Sequence, residues 1–220
     1  MAYDSAPERP AGTATRQRQP VPVKILVAGG FGVGKTTTVT TASEIAPLTT
    51  EAEMTSVAAG VDNNELVPTK TTTTVAMDFG RITIDESIKL YIFGTPGQDR
   101  FGFMWSDLAK GALGAIVLVD DRRLDDCFAA VDYFEKLGLP FVVGINRFDG
   151  MANHDVETIR WALAIDPVVP VVEFDARSFH SVRDAILVLL EEALVRARTR
   201  QAEKKRQDAD ASPAQADGAA

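Results

Sequence analysis

The stretch Gly29-Gly30-Phe31-Gly32-Val33-Gly34-Lys35-Thr36 places a glycine, four residues and then Gly-Lys-Thr between an apolar run and a helical pattern. Residues of these types at this spacing are suited to hold phosphate. The glycines let the backbone turn its N–H groups inward around an anion, and the helix that follows presents its positive end at the same point. Gly29, Gly32, Val33, Gly34, Lys35, Thr36 and Thr37 are therefore expected to line a phosphate site. Lys35 would bridge the β- and γ-phosphates and Thr36 would ligate Mg²⁺. A glycine-rich turn without a ligand is the competing reading. The buried strand expected before it and the helix after it favour the phosphate site.

Four other segments carry polar residues where a strand is expected to begin or end: Phe93-Gly94-Thr95-Pro96-Gly97-Gln98-Asp99-Arg100-Phe101, Asn146-Arg147-Phe148-Asp149, Asp175-Ala176-Arg177 and Thr71-Thr72-Thr73-Thr74. Each has an ordinary explanation when taken alone. Asn, Asp and Thr-Pro-Gly are turn residues, and a run of threonines is a good start for a strand.

With the glycine loop upstream, the segments resemble those of Ras-like small GTPases, in that family's order, over about residues 21 to 200. Asn146-Arg147-Phe148-Asp149 resembles the Asn-Lys-x-Asp motif. The resemblance implies that Asp149 accepts hydrogen bonds from the guanine N1–H and 2-amino group, that Asn146 ties the loops together, and that Arg147 stacks on the base in place of the usual lysine. Adenine would leave the carboxylate unpaired, so the implied nucleotide is GTP or GDP, not ATP. Gly97 would offer its N–H to the γ-phosphate, and Gln98 would orient the attacking water, which makes Gln98 and Lys35 the implied catalytic residues. Thr74, with Thr73 or Thr72 next, is in register with the switch threonine that ligates Mg²⁺, and Asp175-Ala176-Arg177 stands where the family has Ser-Ala-Lys, whose alanine N–H contacts the guanine O6.

One departure is plain. The family's aspartate falls at Gly94, so the usual carboxylate beside Mg²⁺ is missing from that strand. Without that aspartate, Thr-Pro-Gly-Gln-Asp-Arg-Phe looks closest to the bacterial MglA-like GTPases and those encoded in conservon operons. That implies a Roadblock-domain regulator, a sensor-kinase complex, and membrane recruitment through such partners. No arginine lies between Thr49 and Gly80, where Lys70 is the only cation, so unassisted hydrolysis is expected to be slow. Two rivals stand beside this switch: a nucleotide-binding interaction module without useful hydrolysis, and a P-loop small-molecule kinase or ATPase.

The elements that must position these residues follow from the apolar pattern. Strands are expected at Val23 to Ala28, Val75 to Ile84, Ile88 to Phe93, Ala115 to Val119, Phe141 to Ile145 and Val168 to Phe174. Helices are expected at Lys35 to Glu44, Phe101 to Lys110, Leu124 to Leu137, Val156 to Ala164 and Ser181 to about Arg200. Buried strands alternating with helices give an α/β fold. The resemblance makes it a P-loop NTPase of the Ras-like G-domain type, with a mostly parallel six-stranded sheet and helices on both faces. In such sheets ligands bind at the carboxyl ends of the strands, which is where the motifs stand.

The 220 residues allow one domain with tails: a flexible arm over 1–20, the domain over 21–200 and a disordered tail over 201–220. A net charge of -8 argues against nucleic acid as partner. A lone cysteine, Cys127, forms no internal disulfide, and no apolar run is long enough to span a membrane, so a cytoplasmic protein is expected. His154 and His180 lack metal-ligand spacing. Phe101, Met104, Trp105 and Leu108 form a helical stripe expected in the core, leaving Phe103 off the stripe as a candidate partner anchor.

Overall fold

The first apolar run forms β1, Val21–Gly29, and its side chains alternate between two cores: Leu26 and Ala28 face one, Ile25 and Val27 the other. A computed structural model describes residues 19–46, 48–55, 72–97, 104–150 and 152–210, with 48–55, 72–76, 149 and 209–210 described by backbone alone. β5, Gly114–Val119, and β6, Phe141–Asn146, are buried along their whole length. A strand buried on both faces needs a layer on each side. One layer holds α2, Trp105–Ala109, α3, Phe128–Leu137, and α4, Val156–Ala162; the other holds α1, Lys35–Ala42, and α5, Phe179–Asp210. Trp105 stacks on Phe134 beneath the first layer, with ring centroids 6.4 Å apart, and Leu108 packs against the same core; of the expected stripe Phe101 lies outside the described residues.

The remaining strands are β2, Leu48–Thr55, β3, Thr72–Thr83, β4, Ile88–Gly94, and β7, Val171–Phe174. The sheet order is β2-β3-β4-β1-β5-β6-β7. β4, β1, β5, β6 and β7 run parallel, while β3 pairs antiparallel with β4 and with β2. The β3–β4 hairpin turns at Asp85, whose carboxylate accepts from the backbone N–H of Ser87 at 2.7 Å and of Ile88 at 2.9 Å. Because five strands point one way, the loops after β1, β4, β5, β6 and β7 all emerge on one edge.

Three elements depart from expectation. The sheet has seven strands where six were expected, the addition being the polar edge strand β2. The last strand starts at Val171, after Pro167 and Pro170, because a proline removes the N–H that a ladder needs. Residues 201–210, expected in the disordered tail, are the last turns of α5. Its final buried apolar side chain is Ala193, so the helix continues well past the core.

Candidate functional site

The loop between β1 and α1 is shaped by its glycines. Gly34 has φ +107°, and a Cβ there would lie 2.7 Å from Asn146 Nδ2. Gly29 has φ +132°, and a Cβ there would collide with the Leu118 carbonyl oxygen. Both positions therefore require glycine for backbone and for space. The first turn of α1 has no side-chain cap and no acidic residue, so its N–H groups face a pocket without competition from this chain's own carboxylates at that turn. That pocket, of about 400 Å³, is lined by Phe31, Gly32, Gly34, Lys35, Thr36, Thr37, Asp78, Thr95, Pro96 and Gly97. A larger one, of about 670 Å³, lies between Phe134, Ile165 and Arg196, but its lining has no glycine loop and no open helix N-terminus. The chemistry, not the volume, selects the first.

Lys35 crosses the pocket floor. Its Nζ donates to the carbonyl of Gly29 at 2.9 Å and of Gly30 at 2.5 Å, and it abuts Gly97. Burial lowers its pKa to about 8, against the pull of Asp78 in the other direction. Phosphate oxygens at this ammonium would favour its charged form, so binding takes up a proton wherever the free lysine is neutral. Nucleotide affinity is expected to be insensitive to this group below about pH 8 and to fall above it. The limiting slope is about tenfold per pH unit. Titrations from about pH 7 to about pH 9 check this, with Lys35→Arg expected to flatten the profile because a guanidinium does not titrate there. A parent profile as flat as the variant's would mean that Lys35 either meets no phosphate or keeps its charge throughout this range.

Thr36 Oγ1 donates to Asp78 Oδ2 at 2.6 Å. Thr95 continues the β4–β1 pairing through its N–H to the Val27 carbonyl at 2.8 Å, and its hydroxyl is buried with no hydrogen-bond partner among the described residues. Among those residues there is no group of three or more His, Cys, Asp or Glu side chains that would hold a metal by itself. The donors that do face the pocket, Thr36, Asp78 and Thr95, are all oxygens. They fit a hard cation shared with phosphate, since Mg²⁺ commonly takes one or two protein ligands and completes its shell with phosphates and water.

On the other side of the loop, Asn146 joins three segments. Its Nδ2 donates to the Val33 carbonyl at 2.9 Å, and its Oδ1 accepts from the Ala176 N–H at 3.1 Å. The Asn146 link is as expected, but it engages the very N–H expected to contact the base. Arg147 also differs from its expected place. Its guanidinium is buried against Asp121, at 2.6 Å, and reaches Glu173 at 3.2 Å, instead of lying free to stack on a base. Burial alone would raise the Asp121 carboxyl, but Asn153 and Arg147 together hold it below its ordinary range. Asp175 is held low chiefly by hydrogen bonds from Arg177, so this pair closes on itself.

Gln98 and the neighbouring Phe101 and Phe103 lie outside the described residues, and Thr74 and Asp149 are placed by backbone alone, in β3 and in the short 3₁₀ turn Phe148–Gly150. Three residues were missed from sequence: Asp78, Thr95 and Arg123, whose Nη2 donates to the Phe31 carbonyl at 2.9 Å. For Arg123 the run Asp120-Asp121-Arg122-Arg123 at the carboxyl end of β5 was the available signal, since ligand sites form at such ends.

Residues 27–211 match the model of a family described as "Conserved hypothetical ATP binding protein". The chain belongs to this family. An uncharacterized protein of Methanocaldococcus jannaschii is 31% identical to this ATP-binding-family chain over 129 residues, 58% of this chain and 71% of its own length. Among solved structures, the cytosolic domain of the T. maritima FeoB iron transporter is similar with a TM-score of 0.55 in its apo form, at 16% identity over 79% of this chain and 64% of that one. A GDP form of the same domain gives a TM-score of 0.56 at 16% identity over 79% and 64%. The FeoB G-domain from Methanococcus jannaschii gives 0.51 at 15% identity, over 77% of this chain and 98% of that one. The chain thus spans a little under two thirds of the T. maritima domain. At these identities the likeness is one of fold. This member of the ATP-binding family is a P-loop nucleotide-binding protein with the fold of a G domain. None of its described helices is long and apolar enough to cross a membrane.

Proposed function

We propose that this chain is a guanine-nucleotide switch, binding GTP and GDP with Mg²⁺ and hydrolysing GTP slowly. The observation that carries the reading is the Asn146 link, which sets the Asn146–Asp149 and 175–177 loops directly beside the phosphate loop. A base held by one pair of loops and phosphates held by the other would share a single nucleotide. Occurrence of a GDP form among proteins of this fold supports the same choice. Lys35 and the α1 N-terminus hold the phosphates, Gly97 sits against Lys35 where a γ-phosphate would meet both, and Gln98 orients water for attack. Mg²⁺ would be held by Thr36 and Thr74 and would supply charge neutralisation at the phosphates. On the resemblance to MglA-like and conservon GTPases, the switch would be read by a Roadblock-domain partner at a sensor-kinase complex, in the cytoplasm or at the membrane periphery.

A second reading has its own support. The family description names ATP, and in this chain the Ala176 N–H and the Arg147 guanidinium are already engaged. An ATP-binding module, or a nucleotide-gated binding module without useful turnover, would fit those two facts. Competition decides between the bases. GTP is expected to displace a fluorescent guanine nucleotide at least about a hundredfold more effectively than ATP, because a site built to pair with the base edge rejects the wrong partner by that order or more. Asp149→Asn is expected to lose that preference and to admit xanthine nucleotide, whose 2-oxygen can accept from the amide. Equal displacement by ATP and GTP in the parent would overturn the guanine reading and favour the family's printed description.

A further inference from the structure

We propose that Arg123, from outside the phosphate pocket, prepares it for its ligand: by holding the Phe31 carbonyl it aims the Gly32 N–H at the place of a phosphate. This rests on the phosphate-site reading and adds to it a residue that the glycine-loop motif does not contain.

Three observations converge. First, Arg123 Nη2 donates to the Phe31 carbonyl at 2.9 Å, a bond between residues 92 positions apart. The Phe31–Gly32 peptide is trans, so its C=O and its N–H point in opposite directions. Phe31 and Gly32 line the pocket and Arg123 does not. With the carbonyl turned out to Arg123, the Gly32 N–H turns in. Second, this peptide needs a holder. Gly32 has φ +73°, and the nearest atom that a Cβ there would meet is Arg123 Nη2 itself, at 3.6 Å. A glycine with that much space can rotate its peptide at little cost. Neighbouring carbonyls of the loop have holders of their own: Asn146 Nδ2 donates to that of Val33, and Lys35 Nζ to those of Gly29 and Gly30. With the carbonyls of residues 31 and 33 both drawn away from the pocket, the N–H groups of Gly32 and Gly34 face it together, which is how backbone makes a concave anion site. Third, Arg123 is itself fixed. Its Nε lies 3.7 Å from Asp120 Oδ2 and its Nη1 3.3 Å from Asp126 Oδ2. The Asp120 side chain is buried and also bound by Arg122. Asp126 belongs to the 3₁₀ turn Leu124–Cys127, which packs so closely on the loop that a Cβ on Gly30 would lie 2.7 Å from Asp126 Cβ. The planar guanidinium thus divides its nitrogens among a buried anchor, a turn and the loop. A half-exposed arginine is ordinarily a surface ion pair of little consequence; the bond to a loop carbonyl is what that role does not require.

The arrangement makes Arg123 a positioning residue acting through the Gly32 N–H. Its signature is in what the phosphates contribute to affinity, not the base. The readout is therefore the ratio of the dissociation constants of GMP and GDP (of AMP and ADP, should ATP win the competition above), measured by calorimetry on the full chain with Mg²⁺. Arg123→Met keeps the aliphatic stem and removes the donors. It is expected to lower that ratio about tenfold, the worth of one hydrogen bond to a charged oxygen, while the monophosphate binds within about threefold of the parent. Arg123→Lys keeps a cationic donor beside the same carbonyl and is expected to hold the ratio within about threefold of the parent's. The loss in Arg123→Met is expected to persist from about 0.05 M to about 0.5 M salt, because salt screens exposed charges but not the direction of a peptide. Melting of the nucleotide-free proteins checks that both variants fold, with a small shift expected for a half-exposed side chain. A ratio in folded Arg123→Met equal to the parent's overturns the proposal. So does a loss that vanishes at high salt, which would make Arg123 only a distant charge. A parent that binds the diphosphate no more tightly than the monophosphate would remove the phosphate-site reading itself, and the proposal with it.

Discussion

Lys35→Ala is expected to lower nucleotide affinity by about a thousandfold while leaving the fold intact. Two charge-assisted hydrogen bonds to phosphate are worth about 1.5–3 kcal/mol each, and their loss alone accounts for a change of that size. The effect on stability is expected to be much smaller. The Lys35 ammonium is buried and destabilised enough that its pKa falls to about 8. Removing it forfeits the bonds to the Gly29 and Gly30 carbonyls but also removes a desolvated charge, and the two changes oppose each other. The 8-residue helix α1 on which it stands is held by Val39 and Ala42, not by this side chain. Titration with a fluorescent guanine nucleotide, alongside melting curves of the nucleotide-free proteins, tests both halves. Unchanged affinity would mean that the glycine loop is only a turn. An early-melting variant would mean that Lys35 is part of the fold's support.

The contrast between Lys35 and Asp78 shows which features the sequence makes legible. A phosphate loop declares itself because its requirements are local: positive φ at Gly29 and Gly34, a lysine and a hydroxyl one step later, and a helix N-terminus, all within one short segment. The β5 and β6 strands, and β1 from Ile25 onward, declare themselves because both faces are buried and the runs are almost wholly apolar. Asp78 does not, because its meaning lies in a register. Only once β3 is paired with β4 does it stand opposite Gly94 and within reach of Thr36. Arg147 illustrates the same limit. Its place after β6 was readable, but its direction is set by Asp121 at the end of β5, which no local pattern connects to it.

Two elements were missed for compositional reasons. β2 reads Leu-Thr-Thr-Glu-Ala-Glu-Met-Thr, an alternation carried only by Leu48, Ala52 and Met54 and interrupted by Thr50, and an edge strand needs no stronger one because half its surroundings are solvent. The end of α5 reads as a polar tail because every described side chain over 201–208 is exposed, yet Gln, Ala, Glu, Lys and Arg are all good helix formers and simply extend a helix already nucleated by the core. Polarity indicated solvent correctly there and said nothing about backbone.

Asn146→Ala is expected to be the most destabilising single change at the site, by about 2–6 kcal/mol, and to weaken nucleotide binding as well. Asn146 is buried, with 3% of its surface exposed. Truncation withdraws the donor from the Val33 carbonyl and the acceptor from the Ala176 N–H together. A buried polar group that loses its partner costs about 1–3 kcal/mol, so two such groups set the range. The affinity loss follows from what the link connects. Val33 precedes Gly34 at the start of α1, and Ala176 follows β7, so without Asn146 the phosphate loop and the loop after β7 are no longer held at one spacing. Asn146→Asp separates the two bonds: its carboxylate still accepts from Ala176 but puts an oxygen against the Val33 carbonyl. It is expected to keep the loop after β7 in place while disturbing the phosphate loop, and so to bind nucleotide poorly. Denaturant unfolding of nucleotide-free protein measures the first effect, and nucleotide titration the second. If Asn146→Ala unfolds at the parent's denaturant concentration and binds as well, Asn146 is a turn residue and the two loops are held together by something else.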